Sequence, residues 1–241
     1  MQDTENSPND PPRHSFIDYF LYPFSTAGAI QYLVIVLVLT GLNFLARFLA
    51  WIPFIGFAFM IVGVVVTYWL IWYWEICAVD SSNGGVRAPD TNDQLMGMDF
   101  EIWSVVSRYM YFVFYLVVWF VPAIGWFIYN KHQADLLTYA LVGAGCFFLP
   151  MTLMRYYIYE DVTIINPLAV LWDIIKTLPG YLVVFAFFAG AFWAVIWFVL
   201  AIDRGSLAAM VTLYPAIIYI SIVLSHVMGR HCYSYRKRLN W

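Results

Sequence analysis

The sequence predicts an all-α, polytopic membrane protein with six transmembrane helices, two interfacial amphipathic helices and an internal repeat. The first observation is composition: 63% of the 241 residues are hydrophobic and only 11% are charged, whereas a soluble domain carries about 25% charged residues. The second is that the apolar residues form runs longer than the roughly 20 residues that a helix needs to cross a bilayer. The third is that these runs are continuous, whereas the strands of a membrane barrel alternate.

The chain begins with a polar segment. Residues 1–13 are rich in Asp, Asn and Pro, which predicts a disordered cytoplasmic tail. This tail lacks the basic start and the cleavage site of a signal peptide, so we expect the first span to be retained. Within residues 14–28, Phe16 and Phe20 fall on one helical face, which predicts a short helix lying in the membrane interface.

Six apolar runs follow, within a membrane domain that we expect to cover residues 14–229. The predicted spans are residues 27–50, 54–79, 108–129, 134–159, 181–202 and 206–228. Pro122, Pro150 and Pro215 predict bends in the third, fourth and sixth spans. The aromatic cluster in residues 68–74 is typical of a membrane interface, and a pigment or aromatic-ligand site is the alternative.

A second amphipathic helix is predicted within residues 165–180, directly before the fifth span. Asn166 suits the N-cap and Pro167 suits the first helical position. Pro179 and Gly180 are expected to end the helix. Its predicted apolar face consists of Leu168, Leu171, Trp172, Ile175 and Leu178.

The opposite side of this helix is polar, with Asp173, Lys176 and Thr177 on it or near it. We expect Trp172 and Lys176 to anchor the helix in the interface, as Phe16 and Phe20 do for the first one.

The two amphipathic segments predict a parallel repeat of one interfacial helix and one hairpin of spans. Aligning each residue n with residue n + 152 places Gly28 on Gly180 and Phe20 on Trp172. Each segment then precedes a pair of spans. Such repeats are common in transporters, and they also occur in proteins that transport nothing.

Orientation follows from Lys and Arg, which favour the cytoplasmic side of a membrane. In a six-span arrangement, one side carries Arg13, Arg87, Arg108, Arg155, Lys176, Arg230, Arg236, Lys237 and Arg238. The other side carries only Arg47, Lys131 and Arg204. We therefore expect a multi-pass protein of the cell membrane with both termini in the cytoplasm.

Residues 230–241 are predicted to form a basic cytoplasmic tail. Its lipid-facing cations are Arg230, Arg236, Lys237 and Arg238. Each Lys or Arg near the surface adds about 1 kcal/mol of attraction to anionic lipid. The expected partners are the bilayer and its anionic lipids, with a partner membrane subunit or a second copy of the chain as further candidates.

Composition and motifs also exclude several classes of function. The net charge of −3 and the lack of a nucleic-acid motif argue against nucleic acid as a partner. Cys77, Cys146 and Cys232 are far apart and are predicted to be free thiols. The sequence lacks the HExxH motif of zinc proteases and a pair of His residues placed for haem. We therefore predict no cofactor, no metal site and no catalytic residue, while Ser/His/Asp catalysis stays open.

Ionisable residues within spans are the default functional candidates. Glu75, Arg108, Arg155 and His226 are predicted to lie at one depth on the cytoplasmic side. Our hypothesis is that Glu75 pairs with Arg155 or Arg108 in a polar cluster. The alternative is that each side chain extends separately to the headgroups.

Small residues recur every four positions in two spans. Ala186, Gly190 and Ala194 form one stripe, and Ala140 and Ala144 form another. Stripes of this kind let helix backbones approach closely. We expect packing within the chain, and contact with a second copy or a partner subunit is the alternative.

A resemblance is carried by Tyr22-Pro23-Phe24, by Asn166-Pro167 and by the closing pattern Arg230-His231…Arg236-Lys237-Arg238. With the repeated helix-then-hairpin unit, these residues resemble uncharacterised multi-pass bacterial membrane families. Those families are similar in style to the membrane domain attached to some glycerophosphodiester phosphodiesterases. The resemblance implies a membrane fold. It implies no enzymatic role, because the catalytic phosphodiesterase domain is absent.

The favoured function is a non-enzymatic membrane scaffold or accessory subunit that acts at the cytoplasmic face. One alternative is a transporter or channel for small solutes, lined by residues such as Thr40, Asn43, Thr67 or Thr138. A weaker alternative is a lipid-modifying enzyme in which acids such as Asp80, Glu160 and Asp161 converge on a metal.

Overall fold

The computed structural model describes residues 16–49, 51–90, 102–159, 166–201 and 207–239, and nearly all of them are helical. The helices are α1 (Phe16–Leu21), α2 (Thr26–Leu49), α3 (Pro53–Ser82), α4 (Ile102–Val118), α5 (Val121–Tyr129), α6 (Leu136–Tyr159), α7 (Pro167–Lys176), α8 (Leu178–Ala201) and α9 (Leu207–Leu239). A 3₁₀ turn, Tyr22–Phe24, joins α1 to α2. The predicted tail at residues 1–13 lies outside the described residues.

The all-α membrane class is confirmed within this part of the chain. Helices α2, α3, α6, α8 and α9 are each long and apolar enough to cross a membrane. They match the first, second, fourth, fifth and sixth predicted spans. The short helices α1 and α7 each precede a pair of long helices, in the predicted order, and the repeat itself stays a prediction.

The predicted third span is not one continuous helix. The chain breaks at Trp119 and Phe120, between α4 and α5. Pro122 lies in the first turn of α5, where its missing N–H leaves no helical bond unmade. This proline therefore begins a new helix instead of bending an existing one. By contrast, Pro150 and Pro215 lie inside α6 and α9.

The two short helices α4 and α5 together run antiparallel to α6. As the chain advances through α4 and α5, its contacts move backwards from the end of α6 to its start. These contacts are Tyr115 on Tyr156, Trp119 on Phe148, and Trp126 on Asp135. The pair of helices thus covers the full length of α6.

Helices α3 and α9 run parallel and pack closely. Ser81 meets His226, and Gly84, just beyond the end of α3, meets the ring of Tyr233 about two turns further along α9. The two backbones are so close that a Cβ at Gly229 would overlap the carbonyl oxygen of Ala78. This pair forms the centre of the structure, with α2 on one side and α8 on another.

Buried side chains concentrate at one end of the helices. We call it the packed end, and it comprises the 3₁₀ turn, α7 and the C-terminal halves of α3, α6 and α9. Its largest fully buried side chains include Tyr22, Tyr73, Met151, Met154 and Ile174. At the opposite end, the open end, the turns between α2 and α3 and between α5 and α6 expose large apolar side chains. Phe54, for example, is 89% exposed.

Two predicted boundaries are wrong. Helix α7 ends at Lys176 with Thr177 as its C-cap, and Pro179 and Gly180 belong to the first turn of α8. Proline is tolerated in a first turn, so it starts the fifth span here instead of stopping α7. The predicted tail is also different, because α9 continues as a helix to Leu239. The basic residues of its last turn are favoured there by the helix dipole.

Candidate functional site

Helix α7 carries an acidic residue of the packed end. Its start follows from the sequence: the Leu168 N–H donates to Asn166 Oδ1 at 3.0 Å, and Pro167 occupies the first turn. This cap fixes where α7 begins. Val170 and Ile174 are buried on the inward face of α7, and Asp173 lies between them with 5% exposure.

The outward face of α7 is the predicted apolar one. Its large side chains are exposed: Leu168, Leu171, Trp172 and Ile175. Lys176 Nζ lies 5.7 Å from the centre of the Trp172 ring. In a membrane, apolar side chains need no protein partner, whereas a carboxylate does. Four of the five residues predicted for the apolar face are therefore exposed on α7, whereas Leu178 begins α8, and Asp173 points into the protein rather than towards water.

Asp173 pairs with Arg155 of α6. An Nη1 of Arg155 donates to Asp173 Oδ2 at 2.8 Å, and Lys176 Nζ lies 3.6 Å from Oδ1. Burial raises the pKa of the Asp173 carboxyl, and the two nearby cations oppose that rise. The pair connects α7 to α6, so it fixes how the short helix sits against the spans.

The predicted polar cluster is therefore rearranged. Arg155 lies at the packed end as expected, but its described ion pair is with Asp173, which was not in the predicted set. The side chain of Arg108 lies outside the described residues. The partner of Glu75 stays a prediction. The missed signal was the charged residue on α7, since an acid on an otherwise apolar helix requires a cation nearby.

His226 belongs to a second polar group at the packed end. It is 4% exposed, and its Nδ1 lies 2.6 Å from Ser81 Oγ. The ring of Tyr22 stacks on the imidazole with centroids 3.8 Å apart. The Tyr22 hydroxyl donates to the carbonyl oxygen of Cys77, and burial raises its pKa, which keeps the phenol neutral.

This group links the 3₁₀ turn, α3 and α9. A Ser beside a His is also the arrangement of a nucleophile and its base. Here Ser81 is completely buried and Tyr22 covers the imidazole. The geometry therefore favours a structural hydrogen bond. The sequence did not reveal this contact, because the second span was predicted to end at residue 79, whereas α3 extends to Ser82.

Arg230 differs from the other basic residues near the C-terminus. Its side chain is buried, with 7% exposure, and its guanidinium carbon lies 5.0 Å from the centre of the Tyr233 ring. Its Nη1 has no hydrogen-bond partner. Arg236, Lys237 and Arg238 are exposed. The prediction of a lipid-facing side chain is therefore wrong for Arg230, because α9 stays within the bundle at this point.

A cavity of about 430 Å³ lies among α3, α4, α6, α8 and α9. Nearly all of its lining is apolar, and the residues include Trp74, Phe112, Leu149, Phe188 and Leu224. The polar residues proposed for a transport path do not line it. Thr67 bonds to the Gly63 carbonyl and Thr138 to Asp135. Asn43 donates to the Leu39 carbonyl and accepts from the Tyr214 hydroxyl of α9, and the hydroxyl of Thr40 is buried without a hydrogen-bond partner.

The small-residue stripe of α8 faces outward. Ala186, Gly190 and Ala194 are exposed, and no atom lies within 4 Å of a Cβ built on Gly190. The stripe forms the floor of a groove of about 460 Å³, with Phe20 and Tyr219 beside it. The expectation that it packs within the chain is wrong, because α8 contacts the rest of the bundle through other residues.

Comparisons with protein families, curated proteins and solved structures find no match for this chain. The resemblance drawn from the sequence stays a prediction. In the described part of the chain, no group of three or more His, Cys, Asp or Glu residues is placed to hold a metal. Glu160 and Asp161, which the enzyme alternative needs, lie outside that part.

Proposed function

We propose that this protein is a non-enzymatic membrane scaffold or accessory subunit that binds a transmembrane helix of a partner protein. The observation that carries the proposal is the outward-facing groove on α8. Its floor is the stripe Ala186, Gly190 and Ala194. In a bilayer, lipid tails are as apolar as Leu, so helix association depends on close packing and shape rather than on hydrophobicity.

The shape of the groove fits a helix better than a solute. Small side chains allow a second backbone to approach α8, while Phe20 and Tyr219 form walls beside the floor. The lining is almost wholly apolar, as the surface of a transmembrane helix is. The occupant that we favour is a helix of a different subunit. A second copy of this chain is the other outcome of the test.

The proposal includes six spans with both termini in the cytoplasm. The third of these spans is the pair α4 and α5, whose contacts extend along the full length of α6. The excess of Lys and Arg on the side of the packed end supports the orientation.

Cysteine labelling tests this topology in intact cells. We expect Gln133→Cys, in the turn between α5 and α6, to react with a membrane-impermeant maleimide. We expect Asn83→Cys, at the end of α3, to react only after lysis. Both positions are exposed, and the natural cysteines are first replaced. The reverse pattern contradicts the orientation, and reaction of both in intact cells contradicts the span count.

The groove is tested by filling it. Gly190→Leu adds a side chain into open space, so the fold is expected to persist. Gly143→Leu is a matched control, because Gly143 is also helical, exposed and free of neighbours within 4 Å. The measurement is the mass and subunit stoichiometry of the tagged protein after extraction from its own membrane in mild detergent.

We expect the wild type and Gly143→Leu to carry the same second membrane polypeptide in fixed stoichiometry, and Gly190→Leu to lose it. A homodimer that Gly190→Leu dissociates supports the groove and replaces the partner by a second copy. A monodisperse monomer in all three samples contradicts the proposal. If that monomer also moves a solute in liposomes, the transporter alternative takes its place.

A further inference from the structure

The packed end contains a buried cation that forms no ion pair with the residues that the structure describes. Arg230 is more than nine-tenths buried, and its Nη1 makes no hydrogen bond. Among the residues that the structure describes, the guanidinium contacts the face of the Tyr233 ring. The acid on α7, Asp173, is already paired with Arg155 and Lys176.

A buried guanidinium without an anion is unfavourable. Removing a charge from water costs free energy that only a counter-charge and hydrogen bonds restore. An aromatic face offsets part of that cost, but it leaves the N–H groups of the fork unbonded. The side chain is therefore prepared for a ligand that carries negative charge and several acceptor oxygens.

The next residue of α9 also has a buried polar atom without a hydrogen-bond partner. His231, the next residue, is 6% exposed and lies between the rings of Tyr181 and Tyr235. Its Nε2 is buried without a hydrogen-bond partner. Adjacent residues of a helix do not face each other, and the rings beside His231 are not the ring beside Arg230, so His231 is a separate buried polar group.

We propose that Arg230, supported by Tyr233, binds a phosphate group. A phosphate presents several oxygens to the planar fork of a guanidinium, which binds them in a bidentate way. The packed end is where the predicted interfacial helices α1 and α7 lie, so a phospholipid headgroup is one source. A soluble phosphate is the other.

This site differs from the general attraction of the exposed cations. Arg236, Lys237 and Arg238 draw anionic lipid through a field that salt screens. A buried guanidinium is screened much less. Binding at Arg230 is therefore expected to persist at a salt concentration that removes the contribution of the exposed residues.

The test compares Arg230→Gln with Arg238→Gln. The control removes the same charge from the same helix, at an exposed position where the guanidinium also lies over a ring, that of Tyr235 at 5.6 Å. Each protein is placed in vesicles of phosphatidylcholine alone, in phosphatidylcholine with phosphatidylglycerol, or in phosphatidylcholine with inorganic phosphate in the buffer. The measurement is the midpoint of thermal unfolding at high salt.

We expect phosphatidylglycerol to raise the midpoint of the wild type and of Arg238→Gln, and not that of Arg230→Gln. In phosphatidylcholine alone we expect Arg230→Gln to match or exceed the wild type, because the unpaired charge is gone. A rise of the wild type with inorganic phosphate indicates that free phosphate is accepted. No such rise assigns the site to the lipid headgroup. Equal responses of the two variants to phosphatidylglycerol overturn the proposal.

A second variant covers the case in which Arg230→Gln does not fold. Arg230→Lys keeps the charge but loses the fork. Native mass spectrometry then counts the phosphatidylglycerol molecules that each protein retains. We expect one fewer on Arg230→Lys than on the wild type, with an apparent affinity about tenfold weaker or more. Equal retention contradicts the site. Gly190→Leu is expected to bind as the wild type does, which separates this proposal from that of a partner helix.

Discussion

The two ends of helix α3 show how differently the same chain is held in place. At its N-terminus, Phe54 is 89% exposed, and Gly63 has open space around it. At its C-terminus, Ser81 is completely buried against His226, and Gly229 of α9 touches its backbone. In the open half, lipid replaces protein contacts. In the packed half, polar groups and close backbone contacts specify the arrangement.

Apolar side chains place a helix in the membrane, but they do not determine which helices it packs against. Since lipid tails solvate Leu and Phe as well as protein does, apolar side chains at the open end gain little from contact with another helix. Buried polar groups do gain, because hydrocarbon offers them no partner. Specific contacts in this protein therefore gather where the polar side chains are.

The sharpest test of this contrast is a pair of Gly→Ala substitutions. Gly229→Ala forces a Cβ into the carbonyl oxygen of Ala78, so α3 and α9 must separate. We expect a loss of about 3 kcal/mol in unfolding free energy, at the upper end of overpacking effects. Gly63→Ala meets no atom within 4 Å and is expected to be neutral or to gain up to about 1 kcal/mol.

Equilibrium unfolding of both variants in mixed detergent measures the difference directly. The retained helicity of Gly63→Ala, read by circular dichroism, is the control for correct insertion. If both glycines respond alike, the close contact of α3 and α9 is not what distinguishes the packed half.

The next largest effect is expected at the ion pair. Asp173→Ala leaves Arg155 without the carboxylate that lies 2.8 Å from its Nη1. Breaking a fully buried pair costs about 3–5 kcal/mol. Because 17% of the Arg155 side chain is exposed, we expect a smaller loss of about 2 kcal/mol after discounting for screening.

A double variant separates the cost of a stranded charge from that of lost packing. Asp173→Leu combined with Arg155→Met removes both charges and is expected to be more stable than Asp173→Ala. Lys176→Met, which removes the longer contact at 3.6 Å, is expected to change stability by under about 1 kcal/mol. A double variant no more stable than Asp173→Ala would show that packing, not charge, dominates here.

A smaller effect is expected for Ser81→Ala, which removes the hydroxyl 2.6 Å from His226 Nδ1. A buried group left without its partner costs about 1–3 kcal/mol. Chemical shifts of the imidazole nitrogens are expected to change with it. Thr67→Ala is the control in the open half, because its hydroxyl bonds only to the carbonyl of Gly63 on its own helix. An equal loss for Thr67→Ala contradicts the contrast between the halves.

These contacts also mark the limit of the sequence analysis. The spans were predictable because a run of apolar residues responds to its solvent, and lipid is the same solvent along the whole run. The start of α7 was predictable because Asn166 and Pro167 act locally. The break before Pro122 was not, because a proline is compatible with both a bend and a new first turn.

The partners at the packed end were not predictable for a different reason. Ser81 and His226 are 145 residues apart in the chain, and no local pattern joins them. Arg155 was identified as a candidate, but the choice between acids depended on which face of α7 turned inward. In a soluble protein the large apolar side chains of α7 would face inward, whereas here they face outward and Asp173 faces inward. The burial of Arg230 likewise depends on α9 staying helical beyond the predicted end of its span.

The smallest expected effect lies at the open end, where one polar residue forms hydrogen bonds among exposed apolar side chains. Asp135 precedes α6 and accepts from the Thr138 N–H at 2.8 Å, from the Thr138 hydroxyl and from Trp126 Nε1. The first of these bonds is the main cause of a lowered pKa for the Asp135 carboxyl. A carboxyl whose pKa is lower in the folded state stabilises the fold above its unfolded value of 3.8 and loses this effect as pH falls through the folded value.

Measuring the unfolding free energy at decreasing pH therefore tests whether this contact at the open end contributes to stability. Between neutral pH and pH 3.8 we expect Asp135→Ala to be slightly less stable than the wild type, by a constant amount. Below that pH the unfolding free energies of the two proteins are expected to converge, because protonation of Asp135 takes from the wild type the stabilisation that Asp135→Ala already lacks. Curves that stay parallel to the lowest pH would mean that Asp135 acts through packing. Convergence, with a smaller offset than Ser81→Ala shows, would place even the best polar contact of the open end below those of the packed end.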